Sequence, residues 1–90
     1  MRMFDSNSVE SFKSSLDAYY TWPALFPFKF IVPIEQANQV IEMLDDSNLT
    51  SRPSTNGRYQ AFSLEKMVSS SEEIISIYER MERIPGIISI

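Results

Sequence analysis

Five prolines punctuate the chain. Pro23, Pro27 and Pro33 crowd the first third, Pro53 lies past the middle, and Pro85 stands near the end. Proline lacks an N–H, clashes with the preceding helical turn, and disfavours helix in the residue before it. Long helices are therefore confined to three proline-free stretches: 1–22, 34–52 and 54–84. The short pieces between the prolines must be strands or turns.

Each proline-free stretch shows a helical period. Val9, Phe12, Leu16 and Tyr19 recur at spacings of three and four, with Ser6 or Ser8 as cap, Glu10 near the start and Trp22-Pro23 as the stop. Glu35 to Leu44 carries Ala37, Val40, Ile41 and Leu44 on one face, and the polar turn Asp45-Asp46-Ser47-Asn48 follows. Ser69-Ser70-Ser71-Glu72-Glu73 is a strong helix start, leading into a stripe of Ile74, Ile77, Tyr78 and Met81 that Pro85-Gly86 ends.

Strand signals fill the gaps. Phe26 to Val32 is rich in aromatic and β-branched residues, with Phe28, Phe30 and Val32 on one face and Lys29 and Ile31 on the other. Pro27 suits the first position of that strand, and Pro33 closes it. Leu49 to Arg52 reads as a short edge strand. Ser54-Thr55-Asn56-Gly57 is the clearest turn, because Asn-Gly tolerates the positive φ of tight hairpins. Arg58 to Val68 follows, with Gln60, Phe62 and Leu64 alternating against Tyr59, Ala61 and Ser63. That register puts Lys66 on the core face, so either a bulge forms near Glu65 or Lys66 snorkels. Ile87 to Ile90 makes the last strand.

The order is a helix followed by β-α-β-β-α-β, the α+β ferredoxin-like sandwich: a four-stranded antiparallel sheet with two helices on one face, plus an N-terminal helix. We divide the chain into an N-terminal helical extension, 1–21, and a ferredoxin-like domain, 22–90. The second sheet face stays open, or is covered by the N-terminal helix or a partner.

Composition narrows the chemistry. With no His and no Cys, the usual catalytic triads, thiol chemistry and nearly all zinc sites are excluded. No disulfide can stabilise the fold, so packing must do so alone. Asp45-Asp46 and Glu72-Glu73 lack a positioned partner that would raise one pKa for acid–base work. The Asp45-Asp46 turn also lacks the glycine and further oxygens of a calcium loop. Only Gly57 and Gly86 exist, too few for a phosphate-binding loop. The net charge is −4 and the eight Lys and Arg are scattered, which argues against nucleic acid. The longest apolar stretch, Trp22 to Ile34, is interrupted and falls short of the roughly 20 residues that span a bilayer. The N-terminus has no apolar leader segment, and we expect a cytoplasmic protein.

Two motifs resemble a known family. Trp22-Pro23-Ala24-Leu25-Phe26-Pro27-Phe28-Lys29 resembles the aromatic-Pro-x-x-Phe-Pro-x-Lys opening of the YbeD-like small bacterial proteins, a family of unknown function. Arg52-Pro53-Ser54-Thr55-Asn56-Gly57-Arg58-Tyr59 resembles that family's hairpin, and Tyr78 with Ile84-Pro85-Gly86-Ile87 is similar to its ending. The resemblance runs from Trp22 to Ile90. It implies a ferredoxin-like fold similar to ACT regulatory domains, and no established activity. The segment before Trp22 is longer than the family's usual lead-in, and Lys66 stands where the family more often has an aliphatic residue.

The expected binding surface is Lys29 on the second strand face, together with Arg52, Ser54, Thr55, Asn56, Arg58 and Tyr59 in the hairpin segment, whose guanidiniums and hydroxyls suit an anion. Lys29 is either a snorkelling lysine under the N-terminal helix or part of a partner surface. We expect a non-catalytic regulatory or protein-interaction module without cofactor. Its partner is another protein or a second copy, forming a homodimer. The alternatives are a small-molecule or anion sensor at the hairpin, and an RNA-binding module using Tyr59, as RNA-recognition domains of this topology use outward-facing aromatics.

Overall fold

The computed structural model describes residues 6–89. Its elements run α1 (Ser6–Tyr19), β1 (Ala24–Pro33), a 3-10 turn (Ile34–Gln36), α2 (Ala37–Leu44), β2 (Thr50–Pro53), β3 (Tyr59–Val68), α3 (Ser71–Met81) and β4 (Ile88–Ser89). The four strands form one antiparallel sheet in the order β2-β3-β1-β4. This is an α+β fold with a four-stranded antiparallel sheet and an N-terminal helix, compatible with the ferredoxin-like pattern. The expected strand residue Ile90, and the side chain of the expected cap Ser6, lie outside the described residues.

The central ladder decides the architecture. β1 and β3 pair without interruption over ten positions, from Ala24 opposite Val68 to Pro33 opposite Tyr59. A continuous register keeps even-numbered residues of both strands on one face. Phe26, Phe28, Phe30, Val32, Phe62, Leu64 and Val68 are buried there. No bulge interrupts the ladder at Glu65. Lys66 instead stands on the core face opposite Phe26 and is half-buried, as the snorkelling alternative expects.

All three helices contribute to the same core. Leu16 from α1, Val40 from α2, and Ile74, Ile77, Tyr78 and Met81 from α3 join the strand residues in one cluster. The Tyr78 ring is its aromatic hub, with centroids 6.0 Å from Phe12, 6.3 Å from Phe26, 5.4 Å from Phe28 and 5.5 Å from Phe30. Such aromatic pairs contribute about 0.5–1.5 kcal/mol each beyond area burial. α1 thus packs beside α3 on the helical side, and among the described residues nothing covers the second sheet face.

Local chemistry explains the boundaries. Ser70 caps α3: its hydroxyl accepts from the Glu73 N–H at 3.2 Å, while the Glu73 carboxylate accepts from the Ser69 N–H at 2.8 Å. Asp45 ends α2 in the left-handed region, φ 43°, with its N–H on the Ile41 carbonyl at 2.9 Å. Asp46 Oδ1 accepts from the Asn48 N–H at 2.9 Å, so this acidic segment is a turn. Gly86, at φ +76°, lies against Pro33, where an added Cβ would approach Cγ to 2.8 Å.

Four details depart from the sequence reading. Tyr19 is 82% exposed and Tyr20 packs on the core in its place, because the helix stops at Tyr19 and the chain turns there. Ser8 lies inside α1 and does not cap it. Ile41 is 50% exposed. A helix of eight residues resting on a sheet presents only a narrow stripe, here Val40 flanked by Ala37, Met43 and Leu44. Pro27 is the fourth residue of β1, not the first. Among the described residues β4 pairs with Phe30 and Ile31, so β1 is an edge strand at Pro27, where a missing N–H is tolerated.

Candidate functional site

The odd-numbered residues of β1 and β3 face away from the helices. β2 follows in the opposite parity, because Thr50 stands opposite Ser63 and Arg52 opposite Ala61. Lys29 also stands opposite Ser63, and Ile31 opposite both Ala61 and Ile88. Two cross-strand rows result: Thr50-Ser63-Lys29, and Arg52-Ala61-Ile31-Ile88. Lys29 is therefore not under the N-terminal helix, which lies on the other side of the sheet.

These rows enclose a groove of about 380 Å³, lined by Lys29, Ile31, Thr50, Arg52, Ala61 and Ser63. It exists because the central strand carries two small side chains, Ala61 and Ser63, between longer neighbours on β1 and β2. Its two cations are carried by strands separated by β3 and stand in adjacent rows, so their backbone anchors lie on a diagonal of roughly 12 Å. Thr50 Oγ1 donates to the Ser63 carbonyl at 3.3 Å and ties β2 to the groove floor. The ion pairs of the described residues, Lys13–Asp17 and Lys13–Glu72, involve neither Lys29 nor Arg52.

The predicted surface residues thus divide into two groups. Lys29 and Arg52 meet at the groove. Ser54 and Asn56 are consumed by the hairpin instead. The Ser54 hydroxyl donates to Asn56 Oδ1 at 2.9 Å and accepts from the Tyr59 N–H at 3.1 Å. Asn56 Oδ1 also accepts from the Arg58 N–H at 3.1 Å. Gly57 takes φ +72° and donates to the Ser54 carbonyl at 3.0 Å. These bonds order the turn and engage the Ser54 hydroxyl and the Asn56 Oδ1. Thr55 and Arg58 are exposed at the tip, and the Arg58 carbonyl accepts from the Ile34 N–H at 2.9 Å. Tyr59 lies on the open face opposite Pro33.

The sequence reading missed Thr50, Ala61 and Ser63 as groove residues. It also missed the apolar end of the open face, where Leu25 and Met67 stand directly opposite one another, 50% and 59% exposed. Ile88 is 54% exposed at the other end, and Glu65 lies between, opposite Pro27. The signal that finds the groove residues is the register: pairing β2 and β3 outward from the Asn56-Gly57 turn puts Thr50 and Arg52 on the same face as Ser63 and Ala61.

At the junction of α1 and α3 a second polar cluster forms. Lys13 Nζ lies 2.8 Å from Asp17 and 3.4 Å from Glu72. The Lys13 ammonium, then the Ser71 hydroxyl and the Trp22 indole, hold the Asp17 carboxyl below its ordinary range. Among the described residues no group of three or more acidic side chains is placed to hold a metal ion, and no helix is long and apolar enough to cross a membrane.

A family model described as a protein of unknown function, DUF493, matches residues 17–90. That match and the YbeD-like resemblance describe one and the same family. No curated protein and no solved structure matches the chain.

Proposed function

The chain belongs to the DUF493 family of proteins of unknown function, and from that premise we propose that it is a non-catalytic, cytoplasmic interaction module that pairs with a second copy of itself through the open sheet face. The observation that carries this reading is the composition of that face. Leu25 and Met67 form an exposed apolar end, Ile31 and Ile88 form the other, and Glu65 and Lys29 lie between them. A two-fold interface needs one patch that complements itself, and a face with apolar ends and charges of both signs in its middle satisfies that need. Exposed apolar patches of this kind on a small domain mark docking sites.

The RNA reading has less support. In β1 and β3, Tyr59 is the one aromatic on the open face; Phe26, Phe28, Phe30 and Phe62 are in the core. A net charge of −4 opposes a phosphate backbone.

Sedimentation equilibrium tests the proposal. The expected result is a dimer that Leu25→Asp with Met67→Asp converts to monomer without loss of thermal stability. Lys29→Glu and Glu65→Lys each weaken association, and the two together restore it. A chain that stays monomeric at millimolar concentration overturns the reading.

A further inference from the structure

We propose that the groove between Lys29 and Arg52 is a binding site for a small dicarboxylate. The inference goes beyond self-association: the groove is built within one chain, and because Lys29 and Ile31 also belong to the proposed pairing face, ligand and second copy compete for it. Three observations converge. The hollow of about 380 Å³ has the size of a small-ligand site. Two cations, one at each side, are left without an acidic partner among the described residues. Between them the floor is apolar and small, Ala61 flanked by Ile31, with the Ser63 and Thr50 side chains at its margin.

The geometry selects the ligand's shape. Arg52 projects from β2 in the row of Ala61 and Lys29 from β1 in the row of Ser63, with β3 between them, so the two positive groups are anchored on a diagonal of roughly 12 Å. A single compact anion satisfies one of them well. A ligand with an acid at each end and a few methylenes between satisfies both, and lays its middle across β3 between Ser63 and Ala61. The planar guanidinium of Arg52 takes one carboxylate in a two-pronged fashion, while the Lys29 ammonium attracts the other as a point charge. Glu65, the next acid on this face, stands one row beyond Ser63, opposite Pro27, and makes no ion pair with Lys29.

The test is an amide-resolved NMR titration of the full chain with glutarate, with propionate and inorganic phosphate as comparison probes. Glutarate is expected to shift the amides of Lys29, Thr50, Arg52, Ala61 and Ser63 to saturation. Its affinity should exceed that of propionate and of phosphate by about tenfold. Lys29→Met and Arg52→Met should each weaken glutarate about tenfold while the rest of the spectrum keeps its dispersion, and Arg58→Met should change nothing. Arg52→Lys should recover only part of the loss, because it restores charge without the fork. Phosphate binding as tight as glutarate, shifts spread over every basic residue, or indifference to both methionine variants overturns the proposal. Repeating the titration in the Leu25→Asp, Met67→Asp background separates the two readings: glutarate binding that survives there stands even when self-association is absent.

Discussion

The indole Nε1 of Trp22 donates to Asp17 Oδ1 at 3.1 Å, and this bond ties the last turn of α1 to the entrance of β1. The same carboxylate accepts from Lys13, which also reaches Glu72 at the start of α3. One acid thus links α1 to β1 and, through Lys13, to α3, beside the Leu16 and Phe12 packing that seats the helix on this side of the sheet.

Trp22 is the chain's single tryptophan, so its fluorescence reports this junction. Asp17→Ala should shift the emission to longer wavelength at neutral pH. In the parent protein the same shift should appear only in acid. The folded Asp17 carboxyl titrates below its ordinary value, so its contribution is present above the unfolded pKa and is lost as pH falls through the lower folded value. An acid titration that superimposes parent and variant would contradict the junction's role.

The two glycines separate strain from crowding. Gly57 and Gly86 both have positive φ, but a Cβ on Gly57 meets nothing within 4 Å, whereas one on Gly86 meets Pro33 at 2.8 Å. Gly57→Ala should cost about 1 kcal/mol, the usual penalty of a left-handed alanine. Gly86→Ala should cost about 1–3 kcal/mol more, because Pro33 must move. Chemical denaturation of both variants gives the difference directly.

Neighbouring residues of α2 should differ sharply. Val40 is fully buried while Ile41 is half exposed. Val40→Ala is expected to cost about 2 kcal/mol and Ile41→Ala about 0.5 kcal/mol or less, on the usual values for core and surface truncations. Equal losses would mean that α2 is rotated relative to the sheet.

Alkali should act through Tyr78. Burial among the core aromatics pushes its phenol up to about 12, with the neighbouring Tyr20 adding to the shift. The neutral phenol is favoured in the folded state. Stability is therefore intact below the unfolded value near 10 and declines as pH rises toward 12. Thermal melts across that window should show the decline, tyrosinate absorbance should show one tyrosine titrating late, and Tyr78→Phe should flatten the pH dependence.

Much of this architecture is legible in the residues because local and tertiary preferences agree. The alternation Phe28-Phe30-Val32 against Lys29-Ile31 names the buried face of β1 outright, and Ser70 with Glu73 announces the start of α3. Where preferences were balanced, the sequence alone could not decide. Tyr19 and Tyr20 are both large and apolar, and only the end of the helix and the turn into β1 select between them. Lys66 raised a choice between a bulge and a snorkelling stem that the pairing with Phe26 resolves. The candidate surface was half legible. Lys29 and Arg52 stood out by charge, but their meeting depends on β3 passing between β1 and β2, which is a property of topology. Ser54 and Asn56 look available in the sequence and are occupied once the hairpin closes.

The uninterrupted ladder between β1 and β3 has a consequence for how this chain can vary. Because the odd residues of both strands face the open side and the even residues face the helices, the two surfaces share one phase. Inserting or deleting a single residue in either strand would carry Phe28 and Phe30, or Phe62 and Leu64, out to water and bring a groove residue such as Lys29 or Ser63 inward. The open face can therefore diversify only by exchanging side chains in place. Changes of length are confined to the loops, and the spacing from Ala24 to Pro33 and from Tyr59 to Val68 is fixed by packing on the opposite side of the sheet.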